Sequence, residues 1–375
     1  MSKMQVHRGG SDHSDPRAAV ADLRRQIGGP GIGFALVFCS PRYDLGQIAE
    51  AVAAEFGDTP VYGCTTAGEI TPFGYISGGI SGIGFPEGDF SVAATLFEDL
   101  KAFEIGATIE RTRLLMAERD GCAPTADSFG LLLVDGLSVR EEQLVSAIGN
   151  TLGGTPLVGG SAGDGLDFKR SFVFFRDRFA TDAAILLLIS TRRRFSVFKT
   201  EHFVPTEEKM VVTGADLARR RVYEINAEPA ALEYARLVGL DGEALSPKIF
   251  AAHPVVVRVG GQYHVRAIQK VNPDNSLTFL CAIDEGLVLT VAEGVDLIEN
   301  LKELFGRLER EIGRPDLIIG CDCVLRNIEI DERALKHAVS SLFVEHRVVG
   351  FCTYGEQYMS MHVNQTFTGV AIGAA

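Results

Sequence analysis

Three acidic residues hold the same place in three similar stretches: Glu69 in VYGCTTAGEI (61–70), Asp164 in LVGGSAGDGL (157–166) and Glu356 in VVGFCTYGEQ (348–357). Each follows a glycine (Gly68, Gly163 or Gly355) where a strand-like run ends. A carboxylate there can accept hydrogen bonds from the N–H groups of its own turn, the commoner use of such residues. It can also hold a ligand's ammonium while an arginine such as Arg266 or Arg326 takes a carboxylate. The first and third stretches add a cysteine, Cys64 and Cys352, and His362 stands ten residues past the latter. A thiol nucleophile needs a base and an oxyanion site. The second stretch has Gly160 and Ser161 in place of the cysteine and no G-x-S-x-G elbow, which weighs against a thiol enzyme.

The elements that must position these groups repeat with them. Unit one reads as strand GFALVFCS (33–40), helix LGQIAEAVAAEF (45–56), strand and glycine turn, then strand ISGIGF (80–85). Unit two reads FGLLLVDGLS (129–138), helix EEQLVSAIGNTL (141–152), turn, FVFF (172–175) and AAILLLIS (183–190). Unit three reads DLIIGCDCVLR (316–326), helix DERALKHAVSSLF (331–343), turn and TFTGVAIG (366–373). Strand–helix–strand implies a parallel pair, and the turn leads to an antiparallel partner. The glycines serve positive φ or close backbone approach.

Between units two and three lie RVYEIN, a Pro-started helix EPAALEYARLV, and strands HPVVVRV, YHVRAIQKV, LTFLCAI and EGLVLTVA, then the helix GVDLIENLKELFGRLEREI (294–312). The reading is an α/β protein of two domains, with mixed sheets built from strand–helix–strand–glycine turn–strand units. Its bounds are a polar amino-terminal tail over 1–27, a first domain over 28–210 and a second over 211–375.

A net charge of −13 argues against a nucleic-acid groove or an anionic membrane surface. The polar start lacks a signal-peptide core and AAILLLI (183–189) is too short to cross a bilayer. Seven cysteines without a C-x-x-C pair fit free thiols in a reducing cytoplasm. GGISGIG (78–84) lacks the order of a dinucleotide fingerprint, and the C-x-C at Cys321 and Cys323 lacks a second zinc-ligand pair.

The chain resembles the FIST domains of bacterial signalling proteins, N and C parts together, from about residue 30 onward. The resemblance is carried by VYGCTTAGEI, RVYEINAEPAALEYA, YHVRAIQKV with EGLVLTV, DCVLR and YGEQ…HVNQTFTG. Within that family TEHF (200–203), HPVVVRVGG (253–261), CAIDEGLVLT (281–290) and MHVNQTFTGVAIG (361–373) are most similar to the haem-bearing nitric-oxide sensors called NosP. The resemblance implies a non-enzymatic sensor that binds haem b and nitric oxide. It also implies a separate partner, a sensor histidine kinase or an enzyme making or breaking cyclic-di-GMP. Homo-oligomers are compatible with it. The broader FIST proposal, a small-metabolite or amino-acid sensor without haem, is the alternative.

Haem b needs an apolar slot and an axial ligand. No C-x-x-C-H is present for covalent attachment. Of eight histidines, His7 and His13 fall in the polar start, and His337 and His346 on polar surfaces. His264 would serve only from a buried face. His202, beside Phe203, His362, in the segment only the third turn carries, and His253, beside Pro254, are the axial-ligand candidates, as alternatives. Cys64, Cys323 and Cys352 are rivals as thiolates. Arg192–Arg194 and Arg219–Arg221 are candidates to meet the propionates.

Overall fold

The computed structural model describes residues 5–122, 126–242 and 244–374. It departs from the sequence reading at the start, where a polar tail is predicted over 1–27. Strand β1 (His7–Ser11) and helix α1 (Pro16–Ile27) occupy that stretch instead. Asp15 caps α1 by accepting from the Ala18 N–H at 2.7 Å, Pro16 opens it, and Ala19, Val20, Leu23 and Ile27 are buried along one face.

Unit one comprises β2 (Ile32–Cys39), α2 (Leu45–Phe56), β3 (Val61–Thr65), a hairpin of β4 (Glu69–Thr71) and β5 (Gly74–Ile76), and β6 (Ile80–Pro86). After β7 (Phe90–Phe97) and α3 (Ile105–Cys122), unit two repeats the order. It has β8 (Asp127–Asp135), α4 (Glu141–Leu152), β9 (Leu157–Ala162), the hairpin β10 (Val173–Phe175) and β11 (Arg178–Ala180), and β12 (Ala184–Thr191). The helical crossovers make β2 and β3 parallel, and likewise β8 and β9. β6 and β12 run antiparallel to the opening strand of their unit, as the repeat requires.

β13 (Phe195–Thr200) precedes an inserted, β-rich domain. It holds β14 (Phe203–Asp216), β15 (Arg221–Ile225), β16 (Glu228–Pro229), α5 (Ala230–Leu237), α6 (Pro247–Ala252), β17 (Val255–Val259), β18 (Gln262–Arg266), β19 (Ile268–Val271), β20 (Leu277–Phe279) and β21 (Val288–Gly294). These strands form one eight-stranded sheet over a core that includes Val222, Tyr234, Phe250 and Leu289. The chain then returns through α7 (Leu297–Ile312) to unit three: β22 (Pro315–Cys323), α8 (Val324–Glu332), α9 (Lys336–Glu345), β23 (Val348–Thr353), the hairpin β24 (Glu356–Tyr358) and β25 (Met361–Val363), and β26 (Phe367–Gly373).

None of the three units keeps its own hairpin. β4–β5 of unit one joins the sheet of β22 and β23, β10–β11 of unit two joins β3, and β24–β25 of unit three joins β9. Three six-stranded sheets, each completed by the next unit's hairpin, close a ring around a shared core containing Leu36, Leu131 and Ile319. The α/β class in two domains stands, but a cut at residue 210 does not follow the packing. Unit three pairs with strands of the first half, and the second body is the insert over 203–294.

Candidate functional site

The glycine turns are the crossing points of this exchange, and they meet. Ala67 N–H donates to the Cys352 carbonyl at 2.9 Å and Cys352 N–H to the Gly68 carbonyl at 2.7 Å. Gly163 N–H reaches the Thr65 carbonyl at 3.0 Å, and Ser161 N–H the Gly355 carbonyl at 2.8 Å. Gly68 has φ +146°, and a Cβ on Gly355 would lie 2.3 Å from the His362 ring, so both need glycine. The three acids serve their turns. Glu69 accepts from the Gly79 N–H at 3.0 Å and from the Thr66 hydroxyl, Asp164 from the amides of Phe168, Lys169 and Arg170, and Glu356 from the N–H and hydroxyl of Thr366.

On the side of this hub facing the insert, the ends of β22 and β23 and the 356–368 segment bring together a fully buried set of polar side chains. Asp322, Arg326, Glu356, Gln357, Asn364, Gln365 and Thr368 are each 0% exposed. Arg326 Nε pairs with Asp322 Oδ1 at 2.9 Å. Gln357 Nε2 donates to Ser161 Oγ at 3.0 Å, and Gln365 Nε2 to the Ala251 carbonyl of the insert at 3.0 Å. What is left over is unusual. Arg326 Nη2, Glu356 Oε1, Gln357 Oε1, both polar atoms of Asn364, Gln365 Oε1 and Thr368 Oγ1 have no hydrogen-bond partner from the protein, apart from a weak thiol contact between Cys323 and Glu356. Buried polar atoms are nearly always satisfied, by protein, water or ligand. Burial holds the Glu356 carboxyl well above the usual carboxylate range, and raises Asp322 despite Arg326.

The insert covers this cluster. Ala251, Ala267 and Leu280 pack against Cys323, Val324 and Tyr354. The buried Arg220 reaches across to Glu141 at 2.7 Å and to Glu142, whose other oxygen accepts from the Ala282 N–H at 2.6 Å. Arg220 is therefore a seam residue rather than a solvated one. Arg193 is likewise buried, paired with Asp89 and with Asp316 at 2.9 Å. Neither run, as placed here, leaves a buried arginine open to a propionate.

The structure separates the three histidine candidates. His202 is buried with both ring nitrogens committed. Arg326 Nη1 can only donate, so Nδ1 accepts at 2.9 Å, and Nε2–H donates to Glu329 at 2.8 Å. It is a neutral imidazole with no lone pair to spare. His253 ends α6 at a partly exposed position, and its carbonyl accepts from the Tyr234 hydroxyl at 2.7 Å. His362 is buried and burial depresses its pKa, keeping it neutral. It is held only by two 3.3 Å contacts, from Gln357 Nε2 and to the Leu280 carbonyl. Its Nδ1 lone pair is thus also taken up, and only the length of these contacts leaves it freer than His202 to serve as an axial ligand.

Space for the haem plane is another matter. Three open hollows, of about 920, 540 and 550 Å³, are lined without histidine, cysteine, methionine or tyrosine. None of the three reaches His362 or the buried polar cluster around Glu356. Cys64, Cys323 and Cys352 are buried, and burial pushes their thiols well above the ordinary range, against a ready thiolate. No helix among the described residues is long and apolar enough to cross a membrane.

Three α/β units closed into a ring, with a β-rich domain inserted before the third and packed over a buried polar cluster, make up the fold. The chain belongs to the FIST family: the FIST N domain matches residues 33–228 and the FIST C domain residues 230–359. FIST domains are sensory domains of signal transduction. The boundary between the two matches falls at β16 (Glu228–Pro229), inside the insert's sheet. The chain is also similar to an uncharacterized protein of Methanocaldococcus jannaschii, 22% identical over 387 residues, an alignment covering 93% of this chain and 75% of that protein.

Proposed function

We propose that this chain is a sensory module whose signal is a small zwitterionic metabolite of α-amino-acid type, bound at the buried polar cluster between ring and insert. The observation that carries the reading is the set of unpartnered buried atoms. Arg326 Nη2 and Asn364 Nδ2 supply two donors, the number that meets a carboxylate. Glu356 Oε1, Gln357 Oε1 and Gln365 Oε1 supply three acceptors, the number that meets an ammonium. Glu356 and Arg326 take the parts that the sequence allots to an acid and an arginine of this kind. Because the insert covers the cluster through the Ala251 and Leu280 carbonyls, occupancy would bias how insert and ring pack, a discrete change that a partner can read. Output would pass to a separate polypeptide such as a sensor histidine kinase or a cyclic-di-GMP enzyme.

The test is thermal stabilisation and calorimetry of the full chain against the common α-amino acids, with mass spectrometry of whatever small molecule is released on denaturation. Saturable binding that Asn364→Leu and Thr368→Val weaken supports the reading. No binding, no released molecule and ordered waters filling the cluster at high resolution would overturn it.

His362 favours a second reading, in which the module holds haem b and responds to nitric oxide. A neutral, desolvated and weakly held imidazole at the seam supports it. Bound there, the group would supply a nitric-oxide-binding iron, and this chain's part would be to present His362 once one of its two 3.3 Å contacts is given up. Reconstitution with haemin, desalting and a visible spectrum of wild type and His362→Ala separates the two readings.

A further inference from the structure

We infer that the open cleft on the far side of the glycine-turn hub is a second binding site, for a small organic anion carrying a carboxylate or phosphate. It lies at the carboxyl ends of β2 and β3, where the chain turns into α2, the usual place for ligands in such sheets. Its volume of about 920 Å³ suits a small molecule. One wall is the loop before α2 with Arg42; the facing wall comes from unit two and carries Lys169 and Arg170.

The lining carries five acids and four bases, so the guide to the ligand's sign is which of them lack an ion-pair partner. Asp44 caps α2 by accepting from the Gln47 N–H at 3.0 Å, and Glu69 and Asp164 are taken up by the turn N–H and hydroxyl groups already described. Asp167 lies 3.8 Å from Lys169, and Arg178 pairs outward with Glu98 at 3.0 Å. Among the described residues, Arg42 and Arg170 have no carboxylate within ion-pair distance, while Asp177 at the rim is the only lining acid left without a partner. Arg170 sits over the Phe172 ring at 5.5 Å, which holds its guanidinium in place. An exposed guanidinium fork on each wall can receive a carboxylate or phosphate, with Asp177 free to meet a hydroxyl or amine elsewhere on the same ligand.

The experiment is calorimetric titration of the full chain with inorganic phosphate and with succinate, against sodium chloride of equal ionic strength. The expected result is saturable binding of at least one probe, weakened roughly tenfold by Arg42→Ala and by Arg170→Ala, as loss of a charge-assisted contact implies. Thr368→Val, in the cluster, should leave it unchanged, which separates this site from the one above. Phosphate preference would mark the ligand as a phosphoester, succinate preference as a carboxylic acid. Heats matching sodium chloride, or binding unaffected by either arginine variant, would overturn the proposal.

Discussion

Tyr354, in the third glycine turn, donates its hydroxyl hydrogen to the Asp164 carboxylate in the second, and the same oxygen accepts from the Asp164 N–H at 3.0 Å. Asp164 in turn gathers the Phe168, Lys169 and Arg170 amides, and Phe168 stacks on the Tyr354 ring at a centroid distance of 4.4 Å. Tyr354 is adjacent to Gly355 and Glu356, so one side chain links the strand of the buried cluster to the cleft loop.

Tyr354→Phe keeps the stacking and removes the hydroxyl. It should cost about 1–3 kcal/mol, because the Asp164 groups it served are left short of a partner. Denaturant unfolding measures the cost. Hydrogen exchange at Phe168–Arg170 should quicken while exchange in β2 does not change.

Glu69 gives a pH signature. Burial lifts its carboxyl to about 7 in the folded chain, while an unfolded glutamate titrates near about 4.3. Between those values the folded state holds a proton that the unfolded state has released. Stability from this group therefore falls as pH rises through that window and levels off above it. Glu69→Gln cannot titrate, so its melting temperature relative to wild type should climb from pH 5 to pH 7.5. A constant difference across that range would remove Glu69 from the account.

Glu356 makes a calorimetric prediction. Without ligand, the cluster keeps its carboxyl neutral; a bound ammonium favours the charged form. Ligand binding near pH 7 should therefore release up to one proton, and the measured heat should vary linearly with the ionisation enthalpy of the buffer. Glu356→Gln should abolish that dependence.

His202→Ala should destabilise the chain by about 1–3 kcal/mol, since Arg326 and Glu329 each lose a buried hydrogen-bond partner while keeping Asp322 and Arg333. Burial holds the folded-state pKa of His202 below its ordinary value. The unfolded chain takes up the proton first, and wild-type stability should fall as pH drops below about 6.5. This decline should be smaller in His202→Gln, read by thermal unfolding from pH 7.5 to pH 5.5. If haem is retained at all, its Soret band should survive His202→Gln and be lost in His362→Ala.

Local structure was largely legible in the chain. The helices over 45–56 and 141–152 fall where apolar spacing puts them, because three- and four-residue periodicity reports burial of one face directly. The third helix was not. One helix over 331–343 is predicted, whereas α8 starts straight from β22 and a break at Ala334, with φ +55°, separates it from α9. Periodicity carries no mark for such a break at an alanine.

Sheet partnership was invisible for a different reason: alternation says which face of a strand is buried, never which unit lies beside it. The cluster was half legible. Glu356 and Arg326 stand out as charges, but Gln357, Asn364, Gln365 and Thr368 read as ordinary polar residues. Their signal was a run of amides and hydroxyls leading into a strand, β26, that is buried throughout.

The exchanged hairpins also constrain how the chain is made. Glu69–Ile76 leaves the ribosome well before its partner strand, Val348–Thr353, is translated. Until then unit one exposes an unpaired strand edge, a template for pairing with another nascent chain. Vectorial synthesis therefore yields waiting intermediates rather than finished units, and the ring can close only by long-range pairing once unit three is made.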